Sequence, residues 1–312
     1  MYFAGIAMVR NEADIVEAFV RHNLAVLDRL AVIDHGSVDG TAAILEALVG
    51  EGLPLSVARN EDDAQRQSDV LTELARAEFA SGTDVVFPLD ADEFLKVRDR
   101  GRLERVLASL PADLNAALHW QTYILGAESP AERNPLRRAR RRLVTERHGL
   151  SKVVLTRAFA ASARAIIAPG NHTVLPDGPA QDLAQHPVRL ARVAADVAAL
   201  AHLPVRSAAQ LAGKVNVGWL AHRAARSANP DVAFHWRELF HEFRDRGEPS
   251  PARLEEIAMN YGLPMAHWQS VDRVALLDDP LPVTCQLRYV DLAHADAAAL
   301  VKAFASRLEA NG

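Results

Sequence analysis

The chain has 312 residues, 49% of them apolar, which is enough for one large α/β core and a helical appendage. Its 35 basic and 40 acidic side chains leave a formal charge of -5, which excludes a protein built to coat nucleic acid. One cysteine, Cys285, excludes an intramolecular disulfide and a thiolate zinc cluster, and fits a reducing compartment.

Tyr2 to Val9 reads as a buried strand, too short to span a bilayer and without the basic start and cleavage site of a signal peptide. No other stretch is long and uncharged enough for a membrane helix. The expectation is a cytoplasmic protein with no integral membrane segment, able to dock peripherally at the inner membrane face. Asn11 reads as an N-cap, with Asp14 three residues on and Ile15, Val16, Phe19, Val20, Leu24 and Leu27 at helical spacing. Leu30 to Asp34 is a second strand. The turn formers His35 to Gly40 follow, then a helix from Thr41 to about Val49. Leu53 to Ala58 is a third strand, and a helix from about Ala64 to Ala80 buries Val70, Leu71, Leu74 and Ala75. Asp84 to Leu89 is a fourth strand that runs straight into Asp90-Ala91-Asp92-Glu93. A helix from about Arg102 to Leu110 comes next, then strands at Asn115–Ile124 and Ser151–Thr156. Between those strands the Pro- and Arg-rich stretch Glu128 to Arg142, with five arginines from position 137 on, reads as a loop. From about Leu190 the chain reads as helical and Ala-rich, with Leu211, Val215 and Trp219 on one helix and Leu300, Val301, Phe304 and Leu308 on the last. A boundary near His186-Pro187 divides a catalytic core, 1–187, from a helical region, 188–312.

Strands separated by helices imply parallel crossovers, and such sheets bind ligands at the carboxyl ends of their strands. Three polar clusters fall there: Arg10-Asn11-Glu12, Asp34 to Asp39, and Asp90 to Glu93. Residues distant in sequence are thereby expected to meet along one edge. If the end of the fourth strand stays extended, Asp90 and Asp92 point to one side. Two carboxylates so close repel unless a cation lies between them, and oxygen ligands suit Mn²⁺ or Mg²⁺. Asp34 is placed to accept a hydrogen bond from a base or ribose. There is no Gly-x-Gly-x-x-Gly, no phosphate-cradling loop ending in Lys-Ser/Thr, no second histidine for a zinc protease at His241-Glu242, and no Gly-x-Ser-x-Gly.

The segments Met8-Val9-Arg10-Asn11-Glu12-Ala13-Asp14, Asp34-His35-Gly36-Ser37-Val38-Asp39-Gly40-Thr41 and Leu89-Asp90-Ala91-Asp92-Glu93-Phe94-Leu95 resemble the family 2 type glycosyltransferases of the GT-A fold. The likeness is to the bacterial branch marked by RNE, DNGSxDGT and DxDEFL motifs, and it covers roughly residues 1 to 95. It extends more faintly through Ser151-Lys152-Val153-Val154, Asn171-His172-Thr173-Val174 and His202 to Ser207. His35 departs from the usual Asn or Asp. The resemblance implies a GT-A type α/β fold whose mostly parallel central sheet is flanked by helices. It implies a nucleoside diphosphate sugar as donor and a glycan or lipid-linked acceptor. Arg10, Asn11, Glu12, Asp34 and Asp90 then border the nucleotide sugar, and Asp90 and Asp92 hold metal and diphosphate. His172 is the candidate third metal ligand. Lys152 is placed to neutralise the leaving diphosphate, and His202, Arg206 and Lys214 to meet donor phosphate or a charged acceptor. Glu93 orients the cluster or its backbone. Trp120 and Tyr123 either stack on sugar or pack in the core. Glu128, Asp177 and Asp182 are the candidate bases on the acceptor side. Inversion at the anomeric carbon is the implied outcome. The alternatives are a sugar nucleotidyltransferase and a non-catalytic nucleotide-sugar-binding protein.

Overall fold

The computed structural model describes residues 1–60, 66–125, 132–147, 151–176, 188–224, 234–283, 285–293 and 297–311. The first sheet is wholly parallel, in the order β3-β2-β1-β4, from β1 (Phe3–Val9), β2 (Arg29–Asp34), β3 (Leu55–Arg59) and β4 (Val85–Leu89). Helices α1 (Val16–Asn23), α2 (Thr41–Gly50) and α3 (Gln67–Ala80) make its crossovers. Every residue of β1 and β4 is buried, as expected of parallel strands covered on both faces. Gly5 lets the strand pack closely there, since a Cβ would come within 2.6 Å of the Leu27 Cδ1 methyl and 2.7 Å of the Leu30 Cδ1 methyl and would push those side chains aside.

The second sheet is mixed. It uses β5 (Glu93–Val97), β6 (Asn115–Ile124), β7 (Arg141–Leu143) and β8 (Ser151–Val154). The short pair β9 (Ile166–Ile167) and β10 (Val174–Leu175) stands apart, and β11 (Leu190–Arg192), β12 (Ala198–His202) and β13 (Leu276–Asp278) complete the strands. Its main path is β13-β7-β6-β12-β5, with β8 and β11 also on β6. One antiparallel bridge, Val86 with Leu155, stitches β4 to the end of β8, so the two sheets run on into each other. The remaining helices are α4 (Arg100–Ala108), the single turns α5 (Pro135–Arg138) and α6 (Arg157–Ala160), α7 (Ala208–Ala224), α8 (Phe234–Arg246), α9 (Pro251–Met259) and α10 (Ala297–Asn311). Leu211, Val215, Leu239, Phe243 and Ile257 build a separate apolar cluster among α7 to α9.

The α/β architecture with a parallel sheet and flanking helices is as expected, and three local expectations are corrected. Residues from Leu190 do not begin a helix. β12 lies inside the sheet between β5 and β6, so its Ala-Ala-Leu-Ala-His run is buried on both faces and shows no alternation. The stretch expected as a loop up to Arg142 contains α5, capped by Asn134 with a proline in its first turn, and β7, which pairs with the end of β6. Asn11 is not an N-cap either. It sits at φ 56°, and α1 begins only at Val16.

Candidate functional site

The parallel register sets Val9 beside Asp34, so Arg10 leaves β1 level with the end of β2. Asp90 leaves β4 on the other side of β1 at the same edge. The loops after β1 and β2 are zipped together. Asn11 N–H donates to Ser37 Oγ (2.9 Å), Val38 N–H to Asn11 Oδ1 (2.9 Å), Glu12 N–H to Thr41 Oγ1 (2.8 Å) and Ala13 N–H to Asp39 Oδ2 (3.1 Å). Arg10 Nε donates to the His35 carbonyl at 2.6 Å and its Nη2 to His35 Nε2 at 3.0 Å. Ser, Thr, Asn and Asp are the turn formers whose short side chains satisfy backbone N–H groups in this way. Asp34 is buried at the centre of this edge. Its Oδ1 accepts from Ser37 N–H at 3.1 Å, while its Oδ2, also buried, has no partner among the described residues. A buried carboxylate oxygen without a donor is costly, which marks this atom as a place for a ligand N–H or O–H.

Beyond β4 the chain turns rather than staying extended: Glu93 N–H donates to the Asp90 carbonyl and Asp90 N–H returns to Glu93 Oε2. The turn gives the two aspartates different partners. Asp90 accepts from Lys152 Nζ (2.5 Å), Gln67 Nε2 (2.7 Å) and Asn171 Nδ2 (3.3 Å). The Lys152 ammonium, fully buried, also donates to the Gly170 carbonyl at 2.8 Å and lies 3.0 Å from Glu93 Oε1 as an ion pair, although that oxygen has no hydrogen-bond donor among the described residues. Asp92 accepts from Lys214 Nζ at 2.6 Å, with His202 Nε2 at 3.7 Å and Arg206 Nη1 at 4.0 Å from the same oxygen. Strand pairing explains the gathering. β5 begins where the acidic turn ends and runs antiparallel to β12, setting His202 opposite Glu93, and Leu203 N–H bonds the Asp92 carbonyl. Arg206 then turns back onto the first loop, donating to Asp14 (2.6 and 2.9 Å) and to Glu12 Oε2.

The basin thus holds five carboxylates, Glu12, Asp14, Asp90, Asp92 and Glu93, against three permanent cations, Lys152, Arg206 and Lys214. Burial pushes Glu93 up to about 8 despite Lys152, and Glu12 up to about 7 despite Arg206. Burial also acts to raise Asp92, yet Lys214, His202 and Arg206 outweigh it and hold Asp92 well below the ordinary carboxylate range. Burial lowers His202 below the ordinary imidazole value even beside Asp92, and it holds His172 down at about 4, so the His172 imidazole is neutral at pH 7.

The structure brings together Arg10, Asn11, Glu12, Asp34, Asp90, Asp92, Lys152, His202, Arg206 and Lys214. His172 borders the basin: its Nδ1–H donates to the Ser151 carbonyl at 3.1 Å and its ring lies edge-on to Trp120. The trio Asp90, Asp92 and His172 is not a ready cage, because no set of three or more His, Cys, Asp or Glu among the described residues is placed to hold an ion. Asp92 Oδ2 and His202 Nε2 lie 3.7 Å apart, but the same oxygen carries the Lys214 ammonium at 2.6 Å, so a hard cation bound there would take the place of Lys214 and complete its shell with phosphate oxygens and water. Trp120 is half-buried and stacks on His202 at 4.0 Å at the edge of the basin, whereas Tyr123 is buried against Lys96 and serves packing. Glu128, Asp177 and Asp182 lie outside the described residues. Gln67 carries no motif in the sequence, and Asn171 enters it only within the faintly resembling segment Asn171-His172-Thr173-Val174. For Asn171 there was a signal: Pro169-Gly170-Asn171 is a turn sequence, and Gly170 (φ 76°) and Asn171 (φ 60°) both take the left-handed conformation these residues tolerate.

No family model matches the chain, and no curated protein matches it in sequence. Solved structures resemble it in part. The mannosyltransferase PcManGT from Pyrobaculum calidifontis, in complex with GDP-Man and Mn²⁺, is 16% identical, covering 82% of this chain and 72% of its own at a TM-score of 0.40. GalNAc-T7 with UDP, GalNAc and Mn²⁺ is 15% identical over 86% of this chain and 58% of its own, TM-score 0.41. Mannosyl-3-phosphoglycerate synthase from Rubrobacter xylanophilus is 19% identical over 42% of each chain, TM-score 0.28. Superposition this partial leaves the chemistry to be read from the chain's own side chains.

Proposed function

We propose that the protein is a GT-A type glycosyltransferase that moves a sugar from a nucleoside diphosphate sugar to an acceptor hydroxyl with inversion, acting on a glycan or lipid-linked precursor. The observation that carries the proposal is the acidic basin of Asp90, Asp92 and Glu93, matched by buried cations and set one strand away from the donor-less Asp34 Oδ2. Strands about 5 Å apart put Asp34 and Asp90 roughly 10 Å from each other across β1, a span suited to a nucleoside at one end and a diphosphate at the other. The motif resemblance supports the same assignment.

In this reading Asp34 Oδ2 accepts from the base or ribose, and the Asn11–Ser37 zipper fixes the loop that surrounds it. Asp92 and His202 would hold Mn²⁺ or Mg²⁺ once Lys214 shifts from the shared oxygen, with Asp90 and His172 beside them, and such an ion would supply charge neutralisation for a leaving diphosphate. Lys152, Lys214 and Arg206 supply fixed positive charge in the same basin, where low dielectric strengthens its effect on a developing anion. Glu93 keeps the Asp90 amide oriented. Glu128, Asp177 and Asp182 remain the proposed acceptor-side bases.

The test is donor turnover with UDP-, GDP- and TDP-sugars, with Mn²⁺ or with chelator. Cation-dependent release of nucleoside diphosphate is expected. Release of pyrophosphate from a nucleoside triphosphate and a sugar phosphate would make the protein a nucleotidyltransferase. Saturable binding without turnover on any acceptor would make it a nucleotide-sugar-binding protein.

A further inference from the structure

A cavity of about 490 Å³ lies away from the acidic basin, with Lys96, Arg98, Gln121, Arg142 and Asp279 in its walls and Val97 and Pro280 among its apolar lining. Strand alternation sets Gln121 on the face of β6 opposite Trp120, which stacks on His202. The cavity and the basin therefore lie on opposite faces of one sheet. Its volume falls in the range of small-molecule sites.

Its charges are unevenly matched. Asp279 Oδ2 accepts from both Lys96 Nζ (2.8 Å) and Arg142 Nε (2.6 Å), so two cations share one carboxylate oxygen. Asp196, the other acid in the lining, is already paired with Arg102 at 2.7 Å. Arg98 is exposed at the rim and has no ion pair among the described residues. Lys96 places its other protons on Gln121 Oε1 and Tyr123 Oη, which leaves the Gln121 amide N–H groups and Arg142 Nη2 as donors without partners among the described residues. Burial holds Lys96 below its ordinary value even with Asp279 alongside, so a further negative charge in the cavity relieves it. Arginine forks prefer planar or tetrahedral oxyanions.

We propose that this back-face cavity is a second binding site, for a small acidic molecule whose carboxylate or phosphate group meets Arg142 and Arg98 beside Gln121. It is independent of the donor site, and the reading holds whether or not the protein transfers a sugar. Part of the arginine run between positions 137 and 142 acquires a role here that the donor chemistry does not use.

Ligand-observed NMR titrations with glucose 6-phosphate, glucuronate and uncharged glucose test it, each with and without saturating UDP and Mn²⁺. Saturable binding of at least one acidic probe, absent for glucose and unchanged by UDP, is expected. Binding of only one of the two identifies phosphate or carboxylate as the recognised group. Arg98→Glu, a rim change that leaves the fold intact, is expected to weaken binding at least fivefold. Lys96→Met, checked for native circular dichroism, is expected to weaken it as well. No saturable binding of either acid, displacement by UDP, or unchanged affinity in Arg98→Glu would overturn the proposal.

Discussion

The two sides of the candidate site are held together by different physics. On the side of β1 and β2, short polar side chains around Asp34 tie backbone N–H groups of neighbouring loops. On the side of β5, β8 and β12, buried ions hold one another: Lys152 between Asp90 and Glu93, Lys214 on Asp92, Arg206 on Glu12 and Asp14. Neutral hydrogen bonds contribute on the order of 1 kcal/mol each and tolerate loss one at a time. A buried ion pair gives little net stability when intact and costs several kcal/mol when one partner is removed. The first side is therefore expected to bend under mutation, and the second to break.

The largest expected effect follows. Lys152→Met leaves Asp90 and Glu93 without their shared ammonium and should cost about 3–5 kcal/mol, read as a drop in the urea midpoint. A loss under 1 kcal/mol would show that the ion pairs are not what holds this side. Asp34→Asn should act the other way round. It keeps the shape and the Ser37 contact, so the melting temperature should move little. Nucleoside diphosphate affinity should fall about 10- to 100-fold by calorimetry, because a charged acceptor becomes a neutral one.

These two substitutions also separate what the sequence made legible from what it did not. Asp34, Ser37, Asp39 and Thr41 announce themselves, because turn residues between a strand and a helix act on backbone within a few positions, and the parallel crossover pattern places them at one edge. Asp90 and Asp92 were legible as a site but not as a geometry: whether two acids two residues apart point together depends on the turn that Glu93 closes from three residues on. Lys152, His202 and Arg206 carried only a faint motif resemblance in their own short segments. What unites His202 and Arg206 with the acids is pairing of β12 with β5, and β12 hides from periodicity because both its faces are buried, while Lys152 arrives on β8 through its pairing with β6 and the Val86–Leu155 bridge. The Arg206–Glu12 contact spans 194 positions, and nothing local encodes it. Gln67 had no signal, being one polar residue at the start of a helix.

A smaller effect is expected from pH. His22 is buried behind the second sheet, its Nε2–H on the Leu95 carbonyl at 2.9 Å, and burial lowers its folded-state pKa below the ordinary 6.5. Below pH 6.5 the unfolded chain takes up a proton that the folded chain refuses, so stability falls as the pH drops. His22→Gln keeps a donor for Leu95 and should flatten part of that acid limb in chemical denaturation between pH 7 and 5. An unchanged slope would remove His22 from the account. The smallest effect is expected on the surface, at the exposed Arg102–Asp196 pair. Arg102→Ala should change stability by less than about 1 kcal/mol.

The central claim is that the acidic turn binds a divalent cation together with a nucleoside diphosphate. Electron paramagnetic resonance of free Mn²⁺ reads this directly. Titrating Mn²⁺ into protein with UDP and then GDP should silence about one equivalent of signal in the native chain, and Asp92→Asn should weaken that uptake at least tenfold while circular dichroism stays native. Equal uptake by the native chain and the variant, with either nucleotide present, would contradict the account.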